Sequence, residues 1–330
     1  MIWCMGGSAR RNQTALWPFA RAAWRRQECG PMREPICVLA NAGSGQKAAV
    51  RIHELIAPLR AAGLRHEVRL IRNGALIAAE AQKARAEGFA TVIAAGGDGT
   101  ICAVATELAG SGIALGILPL GTFNFFGRSL GLENDAEAAM AQLLDGQETQ
   151  VAAGEVNGKL FLNNASLGLY PALLERREAA YAKWGRSRIA AYWSGLRVLV
   201  TYNRPSRMTL VVDGVEQVRH SPMVFIAQNA YQLEEYGMQE GVDLIRAGKL
   251  AVYIAPPLRR WQLLGFALKM ATRMARPYHD FTLLGASTVE IRTRARRRTI
   301  ARDGEREKMR SPFAFRYLPD VLTVIVPKAV

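Results

Sequence analysis

From residue 36 onward the chain alternates apolar runs with amphipathic stretches. PICVLAN, TVIAA and IALGILPL are almost continuously apolar, as strands buried on both faces of a sheet require, and HEVRLI is a fourth strand beside them. Between them VRIHELIAPLRAAG, ALIAAEAQKARAEG and ICAVATELAG carry apolar residues at helical spacing. Strands alternating with helices at this interval predict an α/β fold with a doubly wound parallel sheet. After about residue 148 the pattern changes. QVAAGEVNGKLFLNNASLG, SRMTLVVDGVEQ, SPMVFIAQNA, KLAVYIAP, TVEIRTRA and LTVIVP read as short strands separated by turn residues, so a β-rich, sandwich-like second domain follows. Helices at 181–202 and 258–275 are expected to interrupt it.

Composition narrows the partners. The 330 residues are half apolar, ample for two cores, and the formal charge is +15. Such a balance calls for a negatively charged partner: nucleic acid, an anionic membrane surface or a phosphorylated substrate. The four cysteines, Cys4, Cys29, Cys37 and Cys102, lack zinc-ligand spacing and suggest a reducing compartment. The uncharged window 108–127 is long enough to cross a membrane, but six glycines and prolines interrupt it, so strand and loop are expected there. The first 31 residues contain a twin arginine without a clean apolar core or a cleavage site. Two readings stay open for them: a disordered basic arm bearing Trp3, Trp17 and Trp24, or leader sequence ahead of a start at Met32.

The chemistry gathers in glycine loops. IAAGGDGTIC leaves an apolar strand and at once gives up its side chains, keeping one carboxylate and one hydroxyl. Asn41-Ala42-Gly43-Ser44-Gly45 and Pro119-Leu120-Gly121-Thr122-Phe123-Asn124 do the same after two other strands. In a doubly wound sheet such loops lie together at the carboxyl ends of the strands, where helix amino termini offer unpaired N–H groups to phosphate. Absent Cβ atoms let a ligand approach the backbone. Three loops of this kind on one sheet edge predict a phosphate cradle.

GGDGT at 96–100, LGILPLGTFNFFGRSLGL at 115–132 and DGE at 303–305 together resemble the bacterial diacylglycerol kinase family, whose relatives act on sphingoid and other lipids. The resemblance runs from about residue 35 to the carboxyl terminus. It implies an ATP-binding α/β domain at 34–148 behind a basic extension at 1–33, a lipid-binding β-rich domain at 149–312, and a final segment, 313–330, that returns to the first domain. It implies ATP and Mg2+ as cofactors. Asn41, Gly45, Gly96, Gly97, Gly99, Thr100, Gly121, Thr122 and Asn124 would then hold the nucleotide, and Asp98 would act on magnesium or the transferring phosphoryl group. Asp303 and Glu305 would reach the same cleft, one of them as base for the lipid hydroxyl. By itself, Asp303-Gly304-Glu305 also reads as a hairpin turn.

Departures from the family pattern stand at Cys102 and Ala103, where asparagine and glutamate are common, at Phe125 and Ala247, where aspartate is common, and at Ala42, which replaces proline. An auxiliary metal site is therefore not expected. The basic run 292–310 has no interleaved aromatics for stacking bases, so nucleic acid is not the expected partner. It reads as a solvated strand face or as a rim that docks on anionic lipid. The helix at 258–275 would line that surface or pack into the core. The expected protein is a cytoplasmic lipid kinase, peripheral at the inner membrane face, with a homodimer left open. The alternatives are an NAD-kinase-like enzyme, disfavoured by the GTxN loop and the late DGE, or a catalytically silent nucleotide- and lipid-binding regulator.

Overall fold

The computed structural model describes residues 32–42, 46–169, 171, 205–235, 237–257 and 281–328. The amino-terminal arm, Gly43, Ser44 and Gly45, and both helices expected at 181–202 and 258–275 lie outside the described residues.

The apolar runs fold as expected. Strands β1 (Ile36–Asn41), β2 (His66–Ile71), β3 (Thr91–Gly96) and β4 (Ala114–Pro119) form a parallel sheet in the order β2-β1-β3-β4. Every residue of β3 and β4 is buried, which their unbroken apolar sequence requires. The connecting helices are α1 (Gln46–Leu55), α2 (Ala57–Ala61), α3 (Ile77–Ala86) and α4 (Asp98–Leu108). The single helix expected at 50–63 divides at Ile56, because Pro58 lacks the N–H to continue the ladder and sits at the start of α2, where that donor is dispensable. Two helices were not expected: α5 (Phe125–Ser129) and α6 (Ala136–Leu144), the latter capped by Asp135, which accepts from Glu137 N and Ala138 N at 3.1 and 3.0 Å.

The remaining chain supplies β5 (Gln147–Val156), β6 (Lys159–Phe161), β7 (Asn164–Gly168), β8 (Ser206–Val212), β9 (Val215–Ser221) and β10 (Met223–Ala227). Helices α7 (Ala230–Glu235) and α8 (Gln239–Arg246) precede β11 (Leu250–Ile254), β12 (Thr282–Ala286), β13 (Thr288–Thr293), β14 (Arg297–Arg302), β15 (Glu305–Arg310) and β16 (Phe313–Val326). Three hairpins turn through Asn157-Gly158, Asp213-Gly214 and Asp303-Gly304, each pair with positive φ, the two-residue turn that matches strand twist.

Strand β16 splices the two halves. Its early residues pair antiparallel with β13, while Thr323 and Val324 run parallel to Ala114 and Leu115 of β4. Along its length it also pairs with β5, with a register shift between Leu318 and Leu322 where Pro319 lacks an N–H. The parallel sheet thus continues through β16 into β13, β8 and β9 as one ten-stranded sheet. A six-stranded sheet, β12-β11-β10-β7-β14-β15, packs against its antiparallel part. Leu210, Ile291, Phe313 and Phe315 from one sheet meet Leu167, Val224, Val252 and Ile300 from the other in a buried sandwich core.

Candidate functional site

Asn41 and the loops after β3 and β4 meet where expected, outside the carboxyl ends of their strands. Asn41 ends β1, and its Nδ2 donates to the Thr100 hydroxyl at 3.2 Å. Gly97 is the N-cap of α4 in extended backbone and provides no side-chain cap, so the first N–H groups of this eleven-residue helix face the loop cluster without one. The glycines are tightly apposed. A Cβ on Gly121 would lie 2.7 Å from Gly97 Cα, and one on Gly96 would strike Thr100 at 2.5 Å. Asp98, Gly99 and Thr100 form the first turn of α4 itself, a few residues earlier than the apolar spacing placed its start. Gly121 and Thr122 are exposed in the third loop, whereas Asn124 is fully buried in left-handed backbone. Its Oδ1 accepts from Gly121 N at 3.1 Å and its Nδ2 donates to Gly121 O at 2.9 Å, so it shapes the loop from within.

The DGE hairpin enters from the second sheet. Asp303 and Gly304 form the β14–β15 turn, and the left-handed backbone of Asp303 (φ 47°) folds its carboxylate back onto the β6–β7 connection. There it accepts from the backbone N–H of Leu162, Asn163 and Asn164 at 2.7, 2.8 and 3.0 Å. The Cys102 thiol donates to Leu160 O at 3.5 Å. Glu305 is exposed, and its Oε1 would lie 3.2 Å from a Cβ on Gly99, so its carboxylate rests on the first turn of α4. Asp98, Gly99 and Glu305 are therefore neighbours although two hundred residues separate them in the chain.

Burial raises the carboxyl pKa of Asp98; the Phe126 N–H opposes it and the charge of Asp303 adds to it. Asp98 Oδ1 accepts from Phe126 N at 3.4 Å. Burial raises Asp303 too, against the N–H groups of Leu162 and Asn164. Burial also keeps the Cys102 thiol neutral behind this pair, where it receives Arg302 Nη1 at 3.3 Å. The same guanidinium donates to Leu160 O. At another departure, the Phe125 ring stacks on the exposed Phe123, with centroids 5.5 Å apart and planes 6° from parallel. Ala247 closes α8. Among the described residues, no three His, Cys, Asp or Glu side chains converge as a metal set.

Asn163, Asn164 and Asn229 went unnoticed in the sequence. Asn163 lies between β6 and β7 and Asn164 opens β7, both donating backbone N–H to Asp303, and Asn229 precedes α7; all three are buried. Buried amides are costly unless bonded, but nothing local in FLNNASLG tells a buried asparagine from a solvated one.

The fold and its loops define a class: an α/β unit with glycine loops at its strand ends, joined to a β-sandwich that brings the DGE hairpin to them. Residues 35–156 match the family model of the diacylglycerol kinase catalytic domain, and the motif resemblance is borne out: the chain carries that domain. It is 53% identical over 89 residues to "Probable lipid kinase YegS-like" of Pseudomonas aeruginosa, covering 26% of this chain and 29% of that protein. Over 91 residues it is 40% identical to the diacylglycerol kinase of Staphylococcus aureus strain JH9, covering 27% and 29%. These matches span less than a third of the relatives' length. The fold reaches further: a diacylglycerol kinase crystal structure from Bacillus anthracis strain Sterne superposes with a TM-score of 0.68 at 20% identity, over 89% of this chain and 98% of that one.

Proposed function

We propose that the protein is an ATP-dependent lipid kinase that transfers the γ-phosphate to a lipid hydroxyl such as that of diacylglycerol. The observation that carries this reading is the placement of Glu305 on the first turn of α4, beside Asp98 and the glycine loops. The cradle fits a nucleotide triphosphate: Gly97 and Gly121 meet without side chains, and α4 begins without a side-chain cap. Gly96, Gly97, Gly99, Thr100, Gly121 and Thr122 would hold the phosphates, with Asn41 steadying Thr100. Asp98 would hold Mg2+ together with phosphate oxygens, since one or two carboxylates suffice for that ion. Bound Mg2+ would neutralise charge on the transferring phosphoryl group.

Of the two hairpin carboxylates, Glu305 suits the base and Asp303 the scaffold. Three backbone N–H groups occupy Asp303, whereas Glu305 faces solvent. Glu305 would accept the hydroxyl proton as that oxygen bonds to the γ-phosphorus and ADP departs. The partner surface would be anionic lipid. Arg294, Arg296, Arg297 and Arg298 are exposed on and before β14 and make no ion pair among the described residues. Charge on the edge strand β15 also protects that edge from pairing. No described helix is long and apolar enough to cross a membrane.

Incubation with γ-labelled ATP, Mg2+ and a total lipid extract should label a lipid. A protein that binds ATP yet labels none would instead be a silent nucleotide-binding regulator, the reading favoured by Cys102 and Phe125 at polar family positions.

A further inference from the structure

The third glycine loop runs into the seam between the two domains. The Phe125 carbonyl accepts from Asn229 Nδ2, ahead of α7, at 3.3 Å, while the next backbone N–H, that of Phe126, reaches the Asp98 carboxylate at 3.4 Å. Arg128 lays its guanidinium over the Tyr231 ring, 4.8 Å from the centroid, so side chains as well as backbone dock α5 on α7. The DGE hairpin is tied to the same seam: Asn229 Nδ2 also donates to Asn163 Oδ1 at 2.7 Å, and Asn163 N donates to Asp303 at 2.8 Å.

At this seam the chain exposes an aromatic face. Phe123 is 60% exposed, the one exposed aromatic ring among the described residues. A single exposed apolar side chain needs no explanation, but this one is held parallel to Phe125, with centroids 5.5 Å apart. Phe125 in turn is fixed between Asn229 and the backbone that binds Asp98. A hydroxyl presented to Asp98 and Glu305 therefore stands beside a fixed apolar surface. In a lipid the chains begin a few bonds from the reacting oxygen, and they need such a surface there.

We propose that Phe123 and Phe125 form a subsite for the apolar chain of the lipid substrate, next to the hydroxyl that is phosphorylated. The occupant is the substrate's own chain rather than the bilayer, because the pair is one residue from the N–H that binds the site carboxylate. This inference rests on the reading of the protein as a lipid kinase.

Phe123→Ala tests it with a substrate that needs no membrane. Burying a phenyl ring is worth roughly 10- to 100-fold, so kcat/KM for monomeric dihexanoylglycerol should fall by that factor while KM for ATP is unchanged. Each buried methylene is worth about four-fold. The parent should therefore prefer dihexanoylglycerol to dibutyrylglycerol, and Phe123→Ala should flatten that preference. Phe123→Leu, which keeps apolar surface at the position, should fall between the two. Unchanged kcat/KM in Phe123→Ala, or a raised KM for ATP with lipid kinetics unaffected, would overturn the proposal. A loss seen only with vesicle-borne diacylglycerol would refute it too, making Phe123 a bilayer anchor. A second readout needs no turnover: calorimetric titration with dihexanoylglycerol should show weaker binding to Phe123→Ala than to the parent. Equal binding by the two proteins, or none by the parent, would count against the subsite. A parent that binds this lipid through Phe123 yet phosphorylates none would overturn the functional reading alone.

Discussion

Replacing the two hairpin carboxylates by their amides should separate stability from catalysis. In Asp303→Asn the Oδ1 atom can keep its bonds from Asn163 and Asn164, but the new amide nitrogen faces the Leu162 N–H, donor against donor. Leu162 is 2% exposed, so that N–H is left without water. An unsatisfied buried group costs ~1–3 kcal/mol, and losing the charge weakens the two surviving bonds by roughly 1 kcal/mol in all. Removing a buried charge, whose cost shows in the raised pKa of Asp303, returns part of this. We expect a net loss of about 2–3 kcal/mol, measured as a lower midpoint in urea unfolding. Glu305→Gln sits on the surface and should change stability by less than about 0.5 kcal/mol while slowing transfer by ~10²- to 10⁴-fold. ATP affinity should survive Glu305→Gln. Equal stability of the two variants, or transfer at the parent rate in Glu305→Gln, would refute this division of labour.

Gly121→Ala should abolish ATP binding in a folded protein, since its Cβ would fall 2.7 Å from Gly97 Cα; isothermal titration with ATP checks it. Neutralising Arg294, Arg296, Arg297 and Arg298 should release the protein from phosphatidylglycerol vesicles in a sedimentation assay, and salt should do the same to the parent, because exposed charges are screened over about 8 Å. Burial pushes the Cys37 thiol up to about 12 from 9.0. The folded state therefore holds this proton more tightly than the unfolded chain, and stability falls as pH rises from 9 towards 12. By pH 11 the parent should lose about 3 kcal/mol more than Cys37→Ala does, read from unfolding midpoints at both pH values.

Much of the fold was legible because its signals are local. Buried parallel strands need unbroken apolar runs, and β1, β3 and β4 have them. Helix α6 was equally legible and was overlooked: Asp135 before AEAAMAQLL is an N-cap ahead of apolar positions at helical spacing. Strands β14 and β15 read together as one basic run, a solvated strand face or a lipid-docking rim, because β15 at the sheet edge pairs on one side only and tolerates charge, which hides the break between the two strands. The two-residue turns Asn157-Gly158 and Asp213-Gly214 were open to the same reading that the Asp303-Gly304 pair received.

The site was legible to the extent that backbone makes it. Glycine loops announce themselves, since only the lack of a Cβ lets Gly97 and Gly121 meet. Asn163 and Asn229 do not, because an asparagine in a strand connection has no local mark distinguishing a solvated amide from one bonded to a partner 66 residues away. For the DGE motif the turn reading and the site reading proved to be one physical fact. A two-residue hairpin demands positive φ at its first central position, which aspartate tolerates, and that same backbone turn directs the Asp303 carboxylate onto the β6–β7 connection. With Asp303 clamped there, the strand that leaves the turn must begin at Glu305 against the first turn of α4. The local turn therefore sets where the exposed carboxylate stands, and a hairpin with a different turn would present Glu305 elsewhere.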